Sequence, residues 1–384
     1  MLENYGSNFL RFKEYATKED GLNLSQSNAD PCLFYRKNDN GDTVGVIVVY
    51  VDDCLIAGGQ QFVNEMKEKL KLEFGVVDDG RLRKLLGVRY EWKDLNDESK
   101  ARVVLSMGDK AKEIINGFEK AKGYTPKTYS TPGKPGKVLK SNEEDIVMHK
   151  EYRSILGKIM FYMTKVSPEI SFACGQLARH MHKPGVDHWK AMERLVGYIS
   201  GKKNHELVIR RPTELRVVSF GDSSYGDCLD SRRSSTGDIH TIGGGIVSWR
   251  AQRTKCICLS STEAEYIELT EMCKEQRFIQ MVMEEVFMCN KPGIMYKDNE
   301  SAIYLTKNQH VLPQTKHIDI REHYVREYIS QGHGRIRKIK TEDNFADILT
   351  KNVSIGLFDK LGSAVLNGFD GHDDKFTKFQ REND

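Results

Sequence analysis

The chain has 384 residues, of which 39% are hydrophobic and 29% charged, enough for two or three units that each bury a core of their own. Fifty-eight Lys and Arg against 55 Asp and Glu leave a formal net charge of +3, which argues neither for nor against nucleic acid, because binding depends on where the cations cluster. No run of about 20 apolar residues is present to span a bilayer, and the N-terminal MLENYGSNFLRFKEY lacks the apolar centre of a secretion signal. The eight cysteines show neither a CxxC pair nor a Cys/His spacing suited to zinc. These features describe a soluble intracellular protein, cytoplasmic or nuclear, with reduced thiols and no membrane partner.

In chain order, residues 44–51 and 54–57 are two apolar, β-branched runs separated by Asp52 and Asp53, a hairpin signature. A helical stretch at 62–74 follows, and residues 122–142, rich in Pro, Gly, Lys and Ser, read as a connector. Helices resume at 152–166, 169–181 and 188–200, where apolar residues recur at three- and four-residue spacing and Pro168 and Pro184 mark the breaks. From residue 215 short strands are expected at 215–220, 237–242, 246–259, 294–296 and 334–339, with helices at 262–287, 300–307, 319–330 and 344–351. Three strands, a helix and then alternating strands and helices make a mixed α/β arrangement with helices packed on a five-stranded sheet. The end of the chain, 355–384, reads as a loose tail.

Four carboxylates stand at the junctions of these elements. Asp222 closes the first strand of this region, Glu265 begins the long helix, Asp298 ends the fourth strand, and Asp347 enters the final helix. Hydrolysis of a phosphodiester without a protein nucleophile calls for charge neutralisation and an activated water, which two divalent ions about 3.5–4 Å apart supply. Magnesium takes hard oxygen ligands. Helical stepping from Glu265 runs through Leu269, Met272, Ile279, Met283 and Val286, so Glu265 is expected to face the sheet and Glu263 the solvent. Each acid also has a structural reading: Thr262 with Glu265 as a capping box, Asp298 with Asn299 as a helix cap, and Asp222 as a turn residue.

The stretch 220–351, with DSRRSSTG, GGGIVSW, LSSTEAEY, KDNESAI, TKHIDIREHYVRE and NFADILTK, closely resembles the ribonuclease H domain of copia-type LTR retrotransposon polyproteins. The resemblance implies the ribonuclease H fold, cleavage of the RNA strand of RNA/DNA hybrids, and Asp222, Glu265, Asp298 and Asp347 as ligands to two Mg2+ or Mn2+ ions. Where the family usually reads SDADWAGD, this chain has GDSSYGD, with Ser224 in place of an acidic residue and a loop one residue shorter. Lys316, His317, Arg321, His323 and Arg326, and the turn residues Arg232, Arg233, Arg250 and Arg253, are candidate phosphate contacts, each with an ordinary solvated salt-bridge reading beside it.

Upstream, YVDD at 50–53, with ADPCLFYR, LLGVRYEW and YRSILGKIMFYMTKVSPEISFACGQLARHMHKPGVDHW, resembles the palm hairpin and following segments of the same polyproteins. The resemblance implies a partial reverse transcriptase palm (1–121), a linker with a helical thumb or connection (122–212), a ribonuclease H domain (213–354) and the tail (355–384). Asp52 and Asp53 are candidate ligands for one weakly held ion; without the upstream palm carboxylate, no independent polymerase activity is expected. The expected function is a metal-dependent endonuclease on RNA/DNA hybrids, within a truncated reverse transcriptase. Its rival is an inert or co-opted element fragment that at most binds nucleic acid.

Overall fold

The structure is a computed structural model and describes residues 2–141, 146–202, 205–212, 214–307 and 319–368. The chain divides into two compact units, Met1–Leu82 with Arg277–Lys291, and Arg83–Gln276 with Pro292–Asp384.

The first unit begins with helix α1 (Leu2–Thr17), followed by strands β1 (Ser25–Gln26), β2 (Leu33–Lys37), β3 (Thr43–Tyr50) and β4 (Asp53–Gly58) and helix α2 (Gln60–Phe74). The strands form an antiparallel sheet in the order β1-β2-β3-β4. In β3 the alternation Gly45, Ile47, Val49 points to one buried face. There Ile47, Val49 and Phe34 meet Phe12 and Ala16 of α1 and Phe62, Met66 and Leu70 of α2. The β3–β4 hairpin turns at Val51 and Asp52, with Val51 at φ 58°, a left-handed conformation costly for a β-branched residue.

The second unit continues with β5 (Lys84–Leu85), β6 (Val88–Lys93), β7 (Arg102–Ser106), α3 (Gly108–Lys122), α4 (His149–Val166), α5 (Ser171–Arg179), α6 (Val186–Gly201) and β8 (Glu206–Arg210). Next come β9 (Val217–Ser224), β10 (Ser235–Ile242), β11 (Gly245–Arg253) and α7 (Ser261–Phe287), whose last residues belong to the first unit. The chain then forms β12 (Gly293–Lys297), α8 (Glu300–Lys307), α9 (Asp319–Ser330), β13 (Gly334–Lys338), α10 (Asp347–Thr350) and α11 (Ile355–Asn367). One sheet is antiparallel, β5-β6-β7-β8. The other has the order β11-β10-β9-β12-β13, with β9, β10 and β11 antiparallel and β12 parallel to both β9 and β13. That mixed five-stranded sheet, three antiparallel strands followed in sequence by two parallel ones, has the ribonuclease H topology expected from the sequence.

Alternation along β9 and β12 sorts their side chains to the two faces of this sheet. Val218, Phe220, Ile294 and Tyr296 cluster with Ala346 on one face, and Phe220 stacks on Tyr296 at 5.2 Å between ring centroids. Met295 on the other face packs with Tyr266, Leu269, Met272 and Cys273 of α7 and with Val325 and Tyr328 of α9.

Three expectations are corrected. Residues 355–367 form α11 rather than a tail, because Phe358, Leu361 and Val365 fall on one face and are buried; residues 369–384 lie outside the described set. The expected boundaries at 121/122 and 212/213 do not separate compact units. β8 pairs with β7, and Ile239, Ile246, Ile348 and Leu349 share one core with Ile114, Tyr152, Leu156 and Trp189 of the helices. The connector is likewise packed in: Gly136 N donates to Asn352 O at 2.9 Å and Asn352 Nδ2 donates to Lys137 O at 2.7 Å. Among the described residues, no helix is long and apolar enough to cross a membrane.

Candidate metal centre

β9 and β12 are parallel neighbours, so their C-terminal ends lie at the same edge of the sheet. Asp222 lies two residues before the end of β9 and Asp298 directly follows β12, both on the face that carries Phe220 and Tyr296. α10 presents Asp347 to the same edge. Carboxylate oxygens of Asp222, Asp298 and Asp347 all lie within 4.8 Å of one another. Asp222 and Asp347 are 2% and 1% exposed.

Local bonds hold Asp222 and Asp298 in place. Thr350 Oγ1 of α10 donates to Asp222 Oδ2, and Thr341 Oγ1 donates to Asp298 Oδ2 at 2.9 Å. Asn344 Nδ2 donates to Gly221 O at 3.0 Å, pinning the entry to α10 against the end of β9. Carboxylates this far from water need a cation. Lys351 supplies one, with Nζ 3.3 Å from Asp222 Oδ2 and 3.2 Å from Asp347 Oδ1. Burial pushes the Asp347 carboxyl up to about 7, reinforced by Asp222 and opposed by Lys351. An all-oxygen set of converging carboxylates with crowded negative charge fits a hard divalent ion such as Mg2+ or Mn2+.

Glu265, in the first turns of α7, lies beside this trio rather than within it. Its Oε1 accepts the Ser223 N–H at 3.3 Å, and its Oε2 is paired with the ammonium of Lys297. Burial raises the Glu265 carboxyl above its usual range, with Lys297 opposing and Asp222 adding to the rise. Glu263 corrects an expectation: it is 3% exposed rather than solvent-facing. Its Oε2 accepts the Leu259 N–H at 2.6 Å while its own N–H donates to Ser260 Oγ at 3.1 Å. The cap thus falls on Ser260, whose hydroxyl takes the Glu263 N–H while the Glu263 carboxylate reaches back to Leu259, and not on Thr262 and Glu265.

Sequence reasoning missed Glu268 and Lys297. Lys297 ends β12 on the α7 face, and its ammonium is shared by Glu265 and Glu268 with no side-chain exposure for Lys297 or Glu268. Burial pushes the Glu268 carboxyl up to about 8, opposed by Lys297. For Lys297 burial favours the neutral amine, but two carboxylates override it and hold the lysine charged. The signals were an acid three residues after Glu265 and a lysine ending an otherwise apolar strand.

The other candidates lie apart from the trio. Arg232, exposed and at φ 55°, and Arg233 sit in the β9–β10 turn. Arg250 is tied to Asp238 at 2.6 Å and Arg253 to Ser231 at 3.3 Å, so both have internal roles. Lys316 and His317 lie outside the described residues; Arg321 falls in α9, its side chain outside the description. Asp52 and Asp53 are exposed at the β3–β4 hairpin, and among the described residues neither joins a group of three potential ligands.

No family model matches the chain. It is similar to the retrovirus-related Pol polyprotein from transposon TNT 1-94 of Nicotiana tabacum, 29% identical over 359 residues that cover 91% of this chain and 26% of that protein. The uncharacterized mitochondrial protein AtMg00810 of Arabidopsis thaliana is 31% identical over 222 residues, covering 57% of this chain and 88% of that one. Among solved structures, that of LC11-RNase H1 in complex with RNA/DNA hybrid matches 35% of this chain and 94% of its own at 13% identity, with a TM-score of 0.28. The chain spans about a quarter of the length of the Pol polyproteins it matches. The likeness to plant transposon Pol proteins runs through about nine-tenths of the chain's length, and its relatives are thus Pol polyproteins of copia-type retrotransposons.

Proposed function

We propose that the chain hydrolyses the RNA strand of RNA/DNA hybrids in a metal-dependent, ribonuclease H-type reaction. The observation that carries this reading is the convergence of Asp222, Asp298 and Asp347 at the edge where β9 and β12 end. The resemblance of residues 220–351 to the ribonuclease H domain of such polyproteins supplies the substrate class.

Asp222, Asp298 and Asp347 would hold the cation, which when bound supplies a Lewis acid for the scissile phosphate and an activated water. The protein's own groups do the positioning. Thr350 and Thr341 fix the Asp222 and Asp298 carboxylates, and Asn344 the β9 end, before substrate arrives, so little reorganisation is left at these two ligands. Arg232 and Arg233, in the hairpin that extends from the Asp222 end of β9, would meet backbone phosphate, and the hybrid would be recognised by phosphate and 2′-hydroxyl contacts rather than by base edges.

Incubation of the purified chain with an end-labelled RNA/DNA hybrid and Mg2+ or Mn2+, beside an Asp298→Asn variant, tests this. Cleavage of the RNA strand by the parent alone is expected, with single-stranded RNA spared. No cleavage by the parent, or equal cleavage by the variant, overturns the reading.

A further inference from the structure

Lysine 297 occupies a position that the proposed chemistry leaves unexplained. It directly precedes Asp298, yet strand alternation sends it to the opposite face of the sheet, under α7. There its ammonium is enclosed between Glu265 and Glu268, one turn apart on that helix, with the Lys297 and Glu268 side chains fully buried and Glu265 6% exposed. Gly221, next to Asp222, makes room for this arrangement: a Cβ at 221 would collide with the Glu268 carboxylate. A buried ammonium of this kind exists only when its desolvation is offset by close carboxylates, and the arrangement is costly to open on one side alone.

Lys351 makes an instructive contrast. It also pairs with two acids of the site, Asp222 and Asp347, but its side chain is 38% exposed. An arriving divalent ion can displace it into water. Lys297 has no such exit, so it stays when an ion binds. Its partner Glu265 therefore has one oxygen committed to Lys297 and the other turned toward the Ser223 N–H. The three acids whose oxygens do converge are the aspartates.

We infer that Lys297 is a resident internal cation that withholds Glu265 from metal, so that this centre takes a single divalent ion, on Asp222, Asp298 and Asp347, instead of two. Lys297 and Glu268 are thereby positioning residues. The inference rests on the metal-dependent reading above, and it concerns ion number, which can be read without any cleavage assay.

The test is Mn2+ binding to the full chain, counted by electron paramagnetic resonance of the free ion, in wild type, in Asp298→Asn, and in a double variant with Glu268→Leu and Lys297→Leu. The double variant removes Lys297 and Glu268 together, so the one carboxylate left without its cation is Glu265, the group a second ion would take up. Wild type is expected to show one site that Asp298→Asn loses. The double variant is expected to gain a second site, or to bind the first at least tenfold more tightly, and adding Glu265→Gln to it should return the count to one. Two Mn2+ sites lost from wild type on Asp298→Asn substitution would overturn the inference, as would a double variant that unfolds cooperatively on heating yet binds like wild type. If the double variant does not fold, the wild-type count still decides between one ion and two. Absence of any site sensitive to Asp298→Asn would instead overturn the metal reading itself and this inference with it.

Discussion

Ending the chain after Ser354 removes α11, and the structure makes that loss severe. Phe358, Leu361 and Val365 are 6%, 0% and 0% exposed, and the Phe358 ring meets Tyr198 edge-on at 5.6 Å. Burying an apolar side chain of this size contributes about 1.5–3 kcal/mol, so three contribute about 5–9 kcal/mol. The helix also closes the core that Ile239, Ile246, Ile348 and Leu349 share with α3–α6. A total near 5–15 kcal/mol is usual for a whole domain, so the shortened chain is expected to lie at the edge of unfolding. At roughly 2–4 °C per kcal/mol for a unit of this size, its thermal midpoint should fall by at least about 10 °C, or the cooperative transition should vanish. A chain ended after Gly368 serves as the reference. Equal midpoints by circular dichroism for the two would refute the assignment of α11 to the core.

Two further outcomes follow from buried polar contacts. His180 stacks on His188 at 4.1 Å, and burial, aided by His188, Arg179 and Arg253 and opposed by Asp230, pulls its imidazole down to about 4. A folded value below the unfolded one of about 6.5 means that this contribution is complete above pH 6.5 and is lost as pH falls toward 4. After discounting for partial solvent screening it is about 1–2 kcal/mol. The difference in urea midpoint between wild type and His180→Gln should therefore shrink from pH 7.5 to pH 4.5; a constant difference contradicts the account. Gly221→Ala should lower stability by about 1–3 kcal/mol by overpacking against Glu268, and weaken Mn2+ binding through the adjacent Asp222. Unaltered stability and Mn2+ affinity would show that the close approach is unimportant.

The acidic edge was legible because each carboxylate ends a strand or starts a helix, and such junctions are marked by local hydrophobic patterning. The strands of the ribonuclease H-type sheet were read for the same reason, with shifts of a few residues, as at Val217–Ser224 against an expected 215–220. The sheet β5-β6-β7-β8 was not read. Its β7–β8 pairing joins Arg102 to Arg210, a contact between distant segments that leaves no local trace. α11 was legible in principle from Phe358, Leu361 and Val365, but its Gly and Ser content and the polar end that follows it favoured a tail. Glu263 was misplaced because helix stepping ignores capping, and the Ser260–Glu263 cap draws that side chain back onto the helix start. The pairing of Glu265 and Glu268 with Lys297 depends on β12 lying under α7, which only tertiary structure supplies.

The most direct test of the central claim is crystallography of the chain with Mn2+, using the anomalous signal to locate the ion. The account predicts a peak about 2.1 Å from oxygens of Asp222, Asp298 and Asp347 together, with Lys351 moved away from Asp222. A peak at other residues, or none at this edge in Mn2+-saturated crystals with the three aspartates ordered, would contradict it.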